Sequence, residues 1–330
     1  MPEDFTWRDG ERTIRFGRGA LADAPSLLGE GYLLLTTVRA LGSAPQIGAA
    51  SSATLLVGAG RVEDLATDLL ERTAGEGRIV ALGGGRVIDV AKALAAAAQP
   101  QRVVAAIPTT LSAAEMSWVH RHAHGVHTAT PKVRPDVVIN DPALSASQPL
   151  PALAASAANA LAHAVEAACT TLTSPVPTLA AVDAARRLAR ALPVDGEPDR
   201  DGLALGALLA GYSLDASWYG LHHVMSQTLV RGGGVGHGEA NAGLLPVTAA
   251  ALRRRRPERL AELDEALGRP VEEVARRFAV RAGVPSLRAI GIDEEALSTC
   301  AEAAAKRSEL ALTPPPADAR EIEQLYREAW

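Results

Sequence analysis

Cysteine occurs only twice in this 330-residue chain, as Cys169 and Cys300. That number excludes a disulfide framework and makes the cytoplasm the expected compartment. Lysine is almost missing, with Lys92, Lys132 and Lys306 alone, and the formal net charge is -5. A chain of that charge has no electrostatic reason to bind nucleic acid. The basic run Arg253 to Arg256 continues into Pro257-Glu258-Arg259, which is the pattern of a solvated loop or helix end. No apolar stretch is long enough to span a bilayer, because Asn159, His163 and Glu166 interrupt the most apolar segment. The start, Met1-Pro2-Glu3-Asp4-Phe5, carries acids where a signal peptide would carry bases and an apolar core, so no signal peptide is expected, and without a spanning stretch no membrane partner is expected.

Hydrophobic residues make up 48% of the chain and charged residues 22%. This is globular composition, at a length sufficient for two domains and a large core. Its most informative stretch is Gly83-Gly84-Gly85, between the apolar run Arg78 to Leu82 and an alanine-rich segment with helical character. A strand, a glycine turn and a helix together bring bare backbone N–H groups to a phosphate, and the helix start adds partial positive charge.

Short β-like runs alternate with helical ones through the first part. Ile14 to Phe16, Tyr32 to Thr36, Ala53 to Val57, Ile79 to Leu82 and Val103 to Ile107 read as strands. Gly19 to Leu28, Arg61 to Thr73 and Val87 to Ala98 read as helices. Alternation of this kind specifies a parallel sheet covered on both faces, with ligands at the carboxyl ends of its strands. Both the glycine turn and Pro108-Thr109-Thr110 follow such strands. From about Pro151 the chain turns helical, in Ala152 to Cys169, Thr178 to Leu192 and Leu203 to Val230. The expected division is an α/β dinucleotide-binding domain over 1–147 and an all-helical substrate or metal domain over 148–330, joined near Asp141 to Pro151. His120, His122, His124 and His127 form a histidine-rich loop, either a metal site or simply exposed.

Asn159 and His163 lie four apart on one helix face, with Glu166 close by. A polar stripe on so apolar a helix is costly unless paired. It is therefore either a set of satisfied interior hydrogen bonds or half of a metal or substrate site. His223 and Gln227 repeat the spacing, and His237 follows the loop Gly232 to Gly236. Three imidazoles with an oxygen donor could hold zinc or iron(II), provided the fold gathers them.

With these segments in hand, the chain resembles the iron-containing (group III) alcohol dehydrogenase family, and within it the maleylacetate reductases. The carriers are Gly83-Gly84-Gly85 with Asp89, Ala91 and Lys92; Ile107 to Thr110 followed by Ala114-Glu115-Met116-Ser117; Asp141 to Leu144; Asn159 to Glu166; His222-His223 with His237; and Thr313-Pro314-Pro315-Pro316 before a closing helix. The resemblance implies a Rossmann-like N-terminal domain and a helical C-terminal domain, the architecture shared with dehydroquinate synthase. It also implies NAD or NADP across the strand ends and hydride transfer to a small carbonyl or enoate in the interdomain cleft, by a homodimer. Gly83, Gly84, Gly85, Thr109 and Thr110 would hold the cofactor. Arg86 and Thr36 would contact it as well, and with no acidic residue at the strand end of Thr36, NAD and NADP both stay open. Asp89 and Lys92 would support the turn. Asn159, His163, His223 and His237 would be the metal set for Fe2+ or Zn2+, and His163, His222, His223 and His237 the catalytic set.

The departures are informative. Asn159 stands where metal-dependent members carry Asp, as it does in maleylacetate reductases, and an amide lacks the charge that helps imidazoles retain a dication. Gln227 replaces a histidine and cannot serve as an acid or base, which moves that role to His222, His223 or His237, or abolishes it. Arg86 replaces a serine and could reach a phosphate, and Arg231 could meet a substrate carboxylate. Two rival functions remain: a sugar-phosphate lyase of dehydroquinate synthase type, and a nucleotide-binding relative with lost or changed catalysis. Ser112 to Met116 lacks the acidic and lysine-rich site that the lyase would need.

Overall fold

The computed structural model describes residues 4–73 and 77–330, so the acidic start Met1-Pro2-Glu3 lies outside the described residues. The chain forms two compact units that meet in sequence between Gln148 and Pro149.

Among the described residues, the first unit is built on seven strands. They are β1 Phe5–Asp9, β2 Arg12–Phe16, β3 Tyr32–Thr36, β4 Ser51–Leu56, β5 Ile79–Gly83, β6 Val104–Pro108 and β7 Val137–Asn140. Their order is β1-β2-β7-β6-β5-β3-β4. Only the β1–β2 hairpin is antiparallel; β5 pairs in parallel with β3 through Leu33↔Ile79 and with β6 through Ile79↔Val104. Strands β3, β5 and β6 are buried at every position. That is why they read as continuous apolar runs: both faces are covered.

The side chains of β3 divide between the two faces, as a two-residue repeat requires. Leu33 and Leu35 join Ile79, Ala81, Ile88 and Leu94 in one core, whereas Leu34 joins Val80, Leu82 and Ile107 in the other. The helices of this unit are α1 Ala24–Leu28, α2 Val38–Ser43, α3 Pro45–Ala49, α4 Val62–Leu69 and α5 Gly85–Ala97. The helix expected over Gly19 to Leu28 is a 3-10 turn, Ala20–Asp23, leading into α1. Strands β1 and β7 and helices α2 and α3 were not expected from the sequence.

The second unit contains helices only: α6 Leu150–Cys169, α7 Pro175–Ala191, α8 Arg200–Ser217, α9 Leu221–Gly233, α10 His237–Arg255, α11 Pro257–Leu267, α12 Val271–Arg281, α13 Glu294–Ala305 and α14 Ala319–Ala329, with short 3-10 turns. Helix α6 is buried continuously from Ala157 to Cys169, which makes it the axis of the unit. Leu153, Leu161 and Val165 are fully buried on it, each contributing about 1.5–3 kcal/mol. The stretch expected as one helix over Leu203 to Val230 is two. Trp218 takes φ 59° and Gly220 takes φ -139°, ψ -117°, so the chain turns after Ser217 and restarts at Leu221. The break places His222 and His223 in the first turn of a new helix, where their backbone N–H groups need acceptors.

Candidate active site

Glu166, fully buried on α6, supplies those acceptors. Its Oε1 accepts from the His222 backbone N–H at 2.7 Å, and its Oε2 accepts from the His223 N–H at 3.2 Å. The same Oε2 accepts from His223 Nδ1 at 2.6 Å. A carboxylate at a helix start is electrostatically favoured, and here it also fixes the tautomer of a ring. With its hydrogen on Nδ1, His223 presents a lone pair at Nε2, and that atom is buried without a hydrogen-bond partner. Burial holds the pair as neutral imidazole donating to carboxylate. It pushes His223 down to about 3, with the His237 charge adding to the effect, and pushes Glu166 upward.

His163 lies against His223, with ring centroids 4.7 Å apart and planes inclined by 20°. Its Nδ1 is likewise buried and unpartnered, as is Asn159 Oδ1 one turn earlier on α6. Burial drives the His163 pKa well below its usual value, and the charges of the neighbouring histidines reinforce the shift. His237 opens α10 and is exposed. It is held near the group by its backbone: Asn241 Nδ2 donates to His237 O at 2.6 Å, and a side chain at the adjacent Gly238 would meet Ala155 of α6 at 3.3 Å.

His222 belongs to the scaffold rather than to the chemistry. Its Nδ1 lies 2.7 Å from Thr248 Oγ1 and its Nε2 2.8 Å from Asn241 Oδ1, and the ring is fully buried. Both nitrogens are engaged, so the ring has no free atom for a substrate, which corrects its expected catalytic role. Burial pushes its pKa down to about 3. Gln227 accepts from Arg307 Nη2 at 3.2 Å, and the same guanidinium nitrogen reaches Tyr219 Oη at 3.3 Å and the Glu309 carboxylate. Arg231 is exposed in the last turn of α9. The sequence does not disclose Glu166 as a helix cap, nor Asn241 and Thr248 as partners of His222. A glutamate three residues beyond His163 on an apolar helix is the one available signal.

The expected metal set is assembled only in part. Asn159 Oδ1, His163 Nδ1 and His223 Nε2 are unpartnered, and an imidazole anchored through its other nitrogen is the usual state of a metal ligand. Yet among the described residues no three His, Cys, Asp or Glu side chains are grouped so as to hold a metal ion. The fourth position is a neutral amide. A neutral amide adds no charge to the imidazoles, so this donor set would hold a dication more weakly than one with a carboxylate. The histidine-rich loop gives no metal group either: His120 is buried, with Nε2 accepting from Val133 N–H at 2.9 Å, and His124 pairs with Asp64 at 2.7 Å.

In the first unit, α5 begins directly after β5, with Gly84 as its N-cap and no side chain capping the helix. None of the three glycines takes a positive φ. Their necessity is close packing: a Cβ on Gly84 would lie 3.0 Å from Thr110 Cγ2, and one on Gly85 would lie 2.9 Å from Ser112 Cβ. A Cβ on Gly83 would meet Val87 at 2.7 Å. Thr109 is buried, with its N–H on Gly83 O at 3.0 Å, and Arg86 is exposed in the first turn of α5. Thr36 is corrected as a cofactor contact. It is fully buried and its hydroxyl donates to Leu82 O at 2.9 Å, so the sheet has consumed it. Lys92 is fully buried, donating to the carbonyls of Ala114, Ser117 and Val119 and pairing with Asp89 at 2.7 Å. It ties α5 to the loop after β6.

Sequence profiles match both units, one described as iron-containing alcohol dehydrogenase over residues 11–142, the other as the C-terminal part of the Fe-containing alcohol dehydrogenase family over 153–330. The chain belongs to the iron-containing alcohol dehydrogenase family. As a member it is an oxidoreductase. It is 35% identical over 242 residues to a maleylacetate reductase of Rhizobium sp. (strain MTP-10005), covering 71% of this chain and 68% of that one. It is 31% identical over 295 residues to a 1,3-propanediol dehydrogenase of Citrobacter freundii, covering 76% of each. The crystal structure of the Rhizobium maleylacetate reductase superposes with a TM-score of 0.83 at 30% identity, over 100% of this chain and 99% of that one.

Proposed function

We propose that this family member is an NAD(P)H-dependent reductase of maleylacetate-reductase type, acting on a small carbonyl or enoate substrate that carries a carboxylate. The observation that carries the reading is the Glu166–His223 pair, which leaves one buried imidazole lone pair, at Nε2, free to exchange a proton. The relatives named as maleylacetate reductases support the substrate class.

The uncapped start of α5 behind Gly83, Gly84 and Gly85 is a ready seat for the pyrophosphate of either NAD or NADP, with Thr109 and Thr110 beside it and Arg86 within the first turn. NAD(P)H bound there would supply the hydride for the electrophilic carbon. A proton from water, relayed through His223 Nε2, completes the product at oxygen for a carbonyl or at the adjacent carbon for an enoate. Glu166 steadies the charge that builds on the ring during transfer, as the carboxylate of a catalytic triad does. His163, packed on His223, orients the reacting group, and exposed His237 borders it. Gln227 leaves the proton to His223. We assign the enzyme to the cytoplasm and to a homodimer on the same family grounds. The relatives' names, reductase and dehydrogenase, do not favour the lyase.

The test is substitution with cofactor titration. His223→Ala and His237→Ala should each lower turnover by at least about tenfold while leaving NADH or NADPH binding intact. Elemental analysis of the purified protein should find less than one iron or zinc per chain. Wild-type turnover in His223→Ala would remove the proton carrier from the proposal.

A further inference from the structure

The helical unit holds a second concentration of charge that shares no residue with the histidine group. A cavity of about 340 Å3 is lined by Arg186 and Arg190 of α7, Glu265 of α11, Arg269 just beyond it and Arg277 of α12. Four guanidiniums thus face one carboxylate. Two of them have structural duties: Arg186 Nη2 pairs with Asp183 at 2.7 Å, and Arg277 Nη2 donates to Ala189 O near the end of α7, also at 2.7 Å. Even so, the Nε atoms of Arg186 and Arg277 are buried without hydrogen-bond partners. Arg190 and Arg269 are exposed, and among the described residues neither forms an ion pair.

Arginines near helix C-termini are ordinarily explained as partners of the terminal carbonyls, and Arg277 meets that description. The magnitude decides against this as the whole account. Asp183 is shared with Arg187 at 2.6 Å, so that pair cancels; set against Glu265 and at most about half a negative charge from each end of α7 and α11, the four guanidiniums leave roughly two positive charges unbalanced. Burial lowers the Arg277 pKa, and the charge of Arg269 lowers it further.

We propose that this arginine-lined cavity is a binding site for a small phosphate-bearing dianion, independent of the histidine site. A phosphate group matches it in charge and in its several acceptor oxygens, since guanidinium forks can approach it from α7, from α12 and from the intervening turn at once. A monocarboxylate would neutralise one guanidinium and leave the others unpaired. The volume admits a phosphate with a small organic body attached.

Calorimetric titration and thermal unfolding of the full chain would test this, using inorganic phosphate in one arm and glycerol phosphate in the other, with sodium chloride matching the ionic strength throughout. Saturable binding below about 10 mM with a rise in Tm is expected in at least one arm. Preference for glycerol phosphate would identify a phosphomonoester as the ligand, and preference for inorganic phosphate the free ion. The exposed pair Arg190→Gln/Arg269→Gln should fold normally and weaken binding at least about tenfold. Phosphate effects no larger than those of sodium chloride, or unchanged affinity in the double variant, would overturn the proposal.

Discussion

Replacing Glu166 separates the structural and chemical duties of one buried carboxylate. In Glu166→Ala three donors lose their acceptor: the N–H groups of His222 and His223, at 2.7 and 3.2 Å, and His223 Nδ1, at 2.6 Å. Each buried donor left unmade costs about 1–3 kcal/mol. The start of α9 also loses a favourable charge worth about 0.3–1 kcal/mol. Release of the carboxylate's own desolvation offsets part of this, and the expected loss is about 3–5 kcal/mol. Glu166→Gln keeps one acceptor oxygen but sets its NH2 against a donor whichever way the amide is seated, for a cost of about 1–2 kcal/mol. If the amide nitrogen faces His223, the ring must carry its hydrogen on Nε2, and the free lone pair is lost. Urea unfolding would measure the two costs, and nitrogen-15 NMR of the imidazoles would read the tautomer. Turnover should fall at least about a hundredfold in both variants. An alanine variant within about 1 kcal/mol of the parent, or a glutamine variant with parental turnover, would refute the assignment.

Three further outcomes follow from other parts of the molecule. Gly85→Ala should cost about 1–3 kcal/mol through its contact with Ser112, and the second change Ser112→Gly should recover at least half of it in the same unfolding assay. His120, pushed down to about 3 by burial and by the Lys92 charge, is neutral in the fold and takes up a proton on unfolding below its ordinary 6.5. Its contribution is therefore complete above that value and fades as pH falls from 6.5 towards 3, so the parent should lose about 2 kcal/mol more than His120→Gln between pH 7 and 5. A parallel pH dependence in the two proteins would contradict it. Gln227→His, set against Arg307, should provide a second proton carrier and raise turnover about tenfold above neutral pH; an unchanged pH–rate profile would show that the position carries no proton.

Legibility in the sequence followed the physics of each element. β3, β5 and β6 were readable because a strand covered on both faces is apolar at every position. β7 was not: its four residues sit between Pro135 and Pro142, and its place in the sheet depends on pairing with β2 and β6. The break at Trp218 carries no proline and puts a bulky residue at positive φ, against local preference, so nothing nearby in sequence announces it. In the site, the histidines stood out as polar residues on apolar helices. The division of labour between His222 and His223 did not, because it rests on Asn241 and Thr248 from α10 and on Glu166 from α6. Thr36 misled for the converse reason: a hydroxyl at a strand end is as serviceable to the neighbouring strand as to a ligand.

The buried ammonium of Lys92 works as a rivet through three carbonyls, those of Ala114, Ser117 and Val119. Helix α5 and the segment after Thr110 are thereby fastened into one piece, and a shift in either is imposed on the other. Anyone grafting a longer segment from a relative into this stretch should keep those three carbonyls in register, or the helix that opens at Gly85 will be displaced along with it.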